Sequence, residues 1–428
     1  MPTPPVSIDE IRRRCEMYRQ CVSEGYTPLG EVPRRGKHGA AREASRRLGI
    51  DPQGVRNAVL AEPSLIEREA ERSEPPQPTY REIRDATFWR RRALELQGAL
   101  AAAEHVTEQM AGIRETPWSI PQWVIRSDNG KQGRSVVGAH CSDWHIGEVI
   151  QSDELNGING FDVSIARRRL RRYFEAVCII GKRWASDTHC EGALLTLAGD
   201  LISGDIHDEL ASTNELTSTE QVLVAVEEAA AGIQMLKSTF GRVHVVSVPG
   251  NHGRTTHKPT AKLYSRLSYD TMIASILADK MSSDGDISFQ YGAAKDQIVP
   301  LFGRTVLVSH GDKIGTKGGM GFAGPNLPIV RGTKKVELQQ ARFGRRPDLI
   351  LMGHYHTTSN PGGVLSNGSV PGYGEYADDI RADPEPPQQW AYLFHSKWGL
   401  RERAPIMLED PSVPVKPRVT IPARMAAA

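Results

Sequence analysis

The chain has 428 residues, more than one typical domain, so a large domain with an accessory one is expected. Its 39% hydrophobic and 24% charged content fits a globular protein, and a formal net charge of +2 excludes a chain-wide basic signal for nucleic acid. No apolar run is long enough to span a membrane, the N-terminus lacks the regions of a signal peptide, and five scattered cysteines form neither a zinc pattern nor a disulfide framework, so a cytoplasmic protein with reduced thiols is expected.

Residues 1–61 read as a small all-α domain. Ser7 followed by Glu10 has the form of a capping box and opens a helix through Ile11, Cys15 and Tyr18. A basic loop follows at Pro33-Arg34-Arg35-Gly36-Lys37-His38. Ala40 to Leu48 then reads as a helix, Gly49 as a turn, and Asp51-Pro52 as the cap and first residue of another helix to about Leu60. Ala44, Leu48, Ile50, Val55 and Ala58 would face inward, with Ser45 at the crossing. This pattern resembles the helix-turn-helix family of DNA-binding modules. By that resemblance Gln53, Arg56 and Asn57 would be exposed on the recognition helix and could reach base edges. Residues 1–60 hold eleven Lys/Arg against seven Asp/Glu, which fits this, although a small helical protein-interaction module has the same pattern.

Residues 62–79 carry Pro63, Pro75, Pro76 and Pro78 among charges and read as a linker. Residues 80–114 read as a helix. Trp89, Ala93, Leu96, Leu100, Ala103, Thr107 and Met110 alternate at four and three residues, an imperfect heptad seam. Such a seam over residues 89–110 would join two chains as a homodimer or pack on the main domain, and both readings stand.

Residues 115–410 read as the large domain, of layered α/β class with helices covering central β-sheet. Ser135–Ala139, Ala193–Leu197, Val243–Val248, Thr305–Val308 and Leu349–Met352 are short apolar runs of the buried-strand type. Val163–Ala185, Glu215–Phe240 and Ala261–Met281 read as helices between them. Ile287–Tyr291 and Gln297–Phe302 add strands, and Trp390–Phe394 begins a final hairpin. Gly311 to Lys335 reads as a Gly-rich basic loop, with Lys313 and Lys317 placed to contact a polyanion. Residues 411–428 read as an irregular tail.

Five motifs carry the chemistry: Asp143-Trp144-His145, Gly199-Asp200, Gly250-Asn251-His252, His310 and Gly353-His354-Tyr355-His356. Each follows the end of an expected strand, where open α/β sheets bind ligands. Together they supply carboxylates, imidazoles and an amide, the ligand types of hard-to-borderline divalent metals. Glycine at 199, 250 and 353 allows tight turns and close approach. Asp205, His207 and Asp208 would cap the next helix or line the cleft, with capping preferred.

The motif set resembles the calcineurin-like metallophosphoesterase superfamily, whose pattern is D-x-H, G-D, G-N-H, H and G-H-x-H, over about residues 135–400. The resemblance implies two divalent metal ions, manganese first, with zinc, iron or magnesium as alternatives. Carried over by position, Asp143, His145 and His356 would take one metal, Asn251, His310 and His354 the other, and Asp200 would bridge them. A bridging hydroxide would attack phosphorus in line, and His252 would stabilise charge or protonate the leaving oxygen. Gly253 departs from the aspartate that many nuclease members carry there, whereas Asp143-x-His145-x-Gly147 is similar to the repair nucleases, and the whole is more like phage or prophage members than protein phosphatases. The expected function is therefore a metal-dependent phosphodiesterase acting on DNA or RNA. A phosphomonoesterase or cyclic-nucleotide phosphodiesterase would use the same metals. A DNA-binding or assembly protein with an inherited phosphoesterase fold is the non-catalytic alternative.

Overall fold

The computed structural model describes residues 8–29, 39–60, 90, 93–94, 97, 119–126, 133–314, 325–410 and 415–417. The chain divides into two compact units, Met1–Leu94 and Glu95–Ala428.

In the first unit, α1 spans Ile8–Ser23, α2 Ala40–Leu48 and α3 residues 52–60. Gly49 ends α2 with φ 70°, and its N–H donates to Ser45 O. Asp51 Oδ2 accepts from Gln53 N at 3.0 Å and starts α3. Cys21, Ala40, Ala41, Ala44 and Val55 are buried among the three helices, and Leu48 and Ile50 are half-buried. The two helices and glycine turn expected from sequence are thus present. The capping residue Ser7, the basic loop 33–38 and the linker 62–79 lie outside the described residues. So does the heptad seam, except Ala93, which is exposed.

The second unit has ten strands among the described residues: β1 Arg134–Cys141, β2 His189–Leu197, β3 Val243–Ser247, β4 Ile287–Gln290, β5 Gln297–Leu301, β6 Arg304–Val308, β7 Leu349–Met352, β8 Val364–Ser366, β9 Gln388–His395 and β10 Gly399–Met407. They form a six-stranded sheet of order β10-β9-β1-β2-β3-β4 and a four-stranded sheet of order β5-β6-β7-β8. β1 to β4 pair in parallel, as do β6 to β8, while β9, β10 and β5 run antiparallel to their neighbours.

Alternation along each strand builds the layers. Val137, Ala139, Ala193, Leu195, Val243, Val245, Ala391 and Leu393 face one way. They pack on helices α4 (Val163–Trp184), α5 (Ser218–Phe240) and α6 (Tyr269–Lys280). Val136, Leu194, Val246, Tyr392 and Phe394 face the other way and meet Val299, Val306, Val308, Leu349 and Leu351 of the second sheet. The far face of that sheet, Leu307, Ile350, Met352 and Val364, packs on Ile329 of helix α7 (Asn326–Arg342). The order is helices, sheet, sheet, helix, a layered α/β architecture as the sequence predicts.

Two expectations are corrected. Helix α6 starts at Tyr269 rather than Ala261, because residues 254–268 close on themselves and Ser268 caps the helix by accepting from Asp270 N at 3.2 Å. The stretch read as a loop to Lys335 becomes α7 from Asn326, burying Ile329, Gly332 and Thr333. The tail has no regular structure at residues 415–417, yet Val415 is buried in the helix-side core.

Candidate metal centre

All five motifs lie in turns after β1, β2, β3, β6 and β7, and those turns converge on one edge of both sheets. The backbone there is unusual. Nine described residues other than glycine have positive φ, and five of them are Asp143 (51°), His145 (45°), Asp200 (53°), His354 (73°) and His356 (49°). A left-handed conformation is uncommon for any residue but glycine, so its concentration at one point marks a functional site. Glycine is required beside them: a Cβ on Gly250 would fall onto the Asp200 carboxylate, and one on Gly353 onto that of Asp143.

Two clusters of candidate ligands result, Asp143 with His145 and His356, and Asp200 with His310 and His354. In each, one ligand atom per residue lies within 4.8 Å of the others. In the first, His145 Nε2 and His356 Nε2 face each other at 3.1 Å, and Asp143 Oδ1 is 3.4 Å from His356 Nε2. In the second, His310 Nε2 lies 3.0 Å from Asp200 Oδ2 and 3.1 Å from Asn251 Oδ1. Asn251 Oδ1 thus lies beside the second cluster.

The turns are braced by the backbone. Asp143 N donates to Gly199 O at 3.0 Å and His145 N to Asp200 O at 3.1 Å, tying the first two motifs together. His354 N donates to both Asp143 oxygens, at 3.0 and 3.1 Å, and Ser142 Oγ donates to Oδ2. His252 N donates to Asp200 Oδ1 at 2.7 Å. The His252 ring is 4.6 Å from that of His145, and its Nδ1 donates to Ser203 O at 2.9 Å.

Asp143, His145, Asp200 and His310 are all buried, which makes their protonation a collective matter. Burial alone would lower the His310 pKa, but Asp200 and Asp143 outweigh it and raise it to about 10. Burial would raise Asp200, and His310 and His252 instead hold it well below the usual carboxylate range. Burial lowers His354 to about 4 and His145 well below its ordinary value. A metal-free centre therefore balances its carboxylates with protons held on imidazole. Facing ring nitrogens, and a ring nitrogen with two oxygens around it, are what a shared cation would coordinate, so these residues fit two divalent metals.

Sequence reasoning missed several supports. Asp270, fully buried at the start of α6, accepts from Leu201 N at 3.0 Å and Gly250 N at 2.8 Å. Burial, with Asp200, raises its pKa to about 6. It holds the Asp200 and Asn251 turns together, and no local motif marks it. Arg169, also fully buried, donates to Val370 O and Pro371 O at 2.9 and 2.8 Å, while Val370 N donates to Asp143 O. His207 does not cap its helix by side chain; its exposed ring sits 5.8 Å from that of His252.

Gln53, Arg56 and Asn57 are exposed on α3, with Gln53 Nε2 donating to Asn57 Oδ1 at 3.0 Å. Lys313 Nζ pairs with Asp312 at 2.8 Å and lies 4.9 Å over the Tyr264 ring, so its charge is engaged within the protein. Lys317 lies outside the described residues. No helix among the described residues is long and apolar enough to cross a membrane.

No protein-family model and no curated protein matches the chain. Among solved structures it is similar to a phosphopantetheinyl hydrolase from Mycobacterium tuberculosis, at 14% identity over 60% of this chain and 94% of that one, with a TM-score of 0.23. A likeness of that size is silent on activity.

Proposed function

We propose that this chain is a metal-dependent phosphodiesterase of the calcineurin-like type and that its substrate is nucleic acid. The observation that carries the catalytic half is the convergence of two ligand clusters on one sheet edge, each with its donor atoms within 4.8 Å. Asp143, His145 and His356 would hold one metal, and Asn251, His310 and His354 the other, with Asp200 between. Bound there, the metals would neutralise phosphate charge and lower the pKa of water.

The chain's own residues do the rest. Asp200 spends Oδ1 on His252 N, which keeps the His252 ring next to the first cluster while Oδ2 faces His310. With Nδ1 committed to Ser203 O, His252 has Nε2 to stabilise charge or deliver a proton to the departing oxygen. Asp270 and Arg169 keep the turns from spreading when the charge in the centre changes. The nucleic-acid half is supported by the exposed Gln53, Arg56 and Asn57 behind a glycine turn. Lys313 gives it no support.

The test is hydrolysis by chelator-treated protein with added manganese. Labelled single- and double-stranded DNA, RNA and bis-p-nitrophenyl phosphate are compared, with His252→Ala alongside. Polynucleotide cleavage that disappears in the variant is the expected result. Cleavage of the small diester alone would move the substrate to small phosphoesters. No hydrolysis of any substrate would end the catalytic reading.

A further inference from the structure

The segment between the third motif and α6 is the most one-sidedly charged stretch beside the centre. Residues 254–268 contain Arg254, Lys258, Lys262 and Arg266, with His257, and no Asp or Glu. They form a closed loop. Tyr269 N donates to Gly253 O at 2.6 Å, Thr255 N to Leu267 O at 2.9 Å, and Arg254 bridges to Ser268. The Arg254 guanidinium donates to Thr256 O, Asn251 O and His257 O at 2.9, 3.0 and 3.2 Å, so it organises the loop from within and fastens it to the Asn251 turn. Tyr264 is buried and donates to Asp312 Oδ2 at 2.7 Å, which anchors the loop two residues beyond His310. His257, Lys258, Lys262 and Arg266 are exposed.

The loop is therefore fixed at both ends to the second cluster and carries its cations outward. Beside the first cluster, Glu148 Oε2 lies 3.6 Å from His145 Nδ1, whereas Asp312 beside the second is paired with Lys313 at 2.8 Å. A polyanion meeting this edge would be drawn to the side of Asn251 and His310.

We propose that the 254–268 loop is the docking surface for a nucleic-acid strand, with Lys258 and Lys262 gripping phosphates next to the one being cut. It rests on the phosphodiesterase reading above. Backbone contacts of this kind position a strand without reading its bases.

The test uses the full-length protein as the double variant Lys258→Gln/Lys262→Gln, with Lys182→Gln on α4 as a control for loss of a surface charge outside the loop. Specificity constants are measured on a labelled twenty-nucleotide single strand and on bis-p-nitrophenyl phosphate across a salt series, and strand binding is followed by fluorescence anisotropy. The expected result is a tenfold or larger fall in the ratio of the two constants. The slope of log affinity against log salt should also fall by about 1.4, two phosphate contacts to a single strand. A ratio and slope equal to those of Lys182→Gln would overturn the loop proposal while leaving the enzyme reading intact. Loop-dependent strand binding with no hydrolysis of any ester would uphold the loop and overturn the enzyme reading. Small-diester hydrolysis with no binding of any strand by the parent protein would overturn the loop and the nucleic-acid substrate together.

Discussion

The two ligand clusters share an edge but are not built alike. In the second, His310 is 1% exposed, its Nδ1 donates to Ala198 O at 2.8 Å, and its Nε2 is aimed at two oxygens. In the first, the His145 Nδ1 is buried with no hydrogen-bond partner, and the His356 side chain is 40% exposed. An imidazole whose far nitrogen is anchored is already oriented for a metal, whereas one that is not must be ordered as the metal arrives. The second cluster is thus the pre-formed one and the first the adaptable one, which is also the cluster nearer the His252 ring.

The largest effect should come from the residue that serves both sides. Asp200→Asn removes a buried carboxylate from the second cluster and weakens the acceptor that fixes His252. Metal charge stabilisation is worth several kcal/mol, so hydrolysis of bis-p-nitrophenyl phosphate should fall about a thousandfold or more. Activity within tenfold of the parent would remove Asp200 from the centre.

Beneath the clusters two neutral histidines lie between strands. His140 is within bonding distance of Thr196 Oγ1 (2.7 Å) and Met352 O (3.0 Å), and His244 of Ser288 Oγ (2.9 Å) and Gln290 Oε1 (3.3 Å). Burial lowers both pKa values from 6.5 to about 4. A depressed base favours the folded state above its unfolded pKa, and that stability is lost as pH falls from about 6.5 towards 4. Each histidine should contribute roughly 3 kcal/mol of this loss. Urea midpoints at pH 7 and pH 4.5 measure it, and His244→Gln should lose less on acidification than the parent. Equal losses in both would show that His244 is not a source of the acid sensitivity.

Asp270→Ala sharpens the comparison, because it touches the second cluster's turns alone. It leaves the N–H groups of Leu201 and Gly250 without their acceptor, at about 1–3 kcal/mol each. Thermal melts should show that loss, and manganese affinity at the second cluster should fall about tenfold. A melt unchanged from the parent would mean the turns hold without it.

The smallest effect tests the inequality itself. Manganese titration of chelator-treated protein should show two steps about tenfold apart. His310→Ala should remove the tighter step and His356→Ala only the weaker. Since His310 holds a proton up to about pH 10, the tighter step should release a proton and strengthen as pH rises from about 7 to 9. A single step with one affinity, insensitive to pH, would make the clusters equivalent.

Much of this centre was legible because its ligands sit in short motifs directly after apolar runs. Val136-Val137 before Asp143, or Leu349–Met352 before His354, announce both a strand and the turn at its end. Asp270 was not legible, since it stands in a helix eighteen residues after His252 and earns its role only through the turns it bridges. The α7 helix was obscured by the glycines just before it, and the start of α6 by a loop whose composition is compatible with helix. The capping box of Thr217 and Glu220 was a readable signal that would have moved the start of α5 to Ser218.

The amino-acid order determined the ligand types, the glycines beside them and the alternation that gives each strand two apolar faces. Those are local properties, set by side-chain chemistry and the period of the extended chain. Only the tertiary structure decided which ligand meets which. It stacks two sheets so that β1 to β3 and β6 to β7 end at one edge, bringing His356 to Asp143 across more than two hundred residues. It also decided which imidazoles carry protons, because that depends on how many buried carboxylates surround each ring, a quantity no stretch of sequence contains.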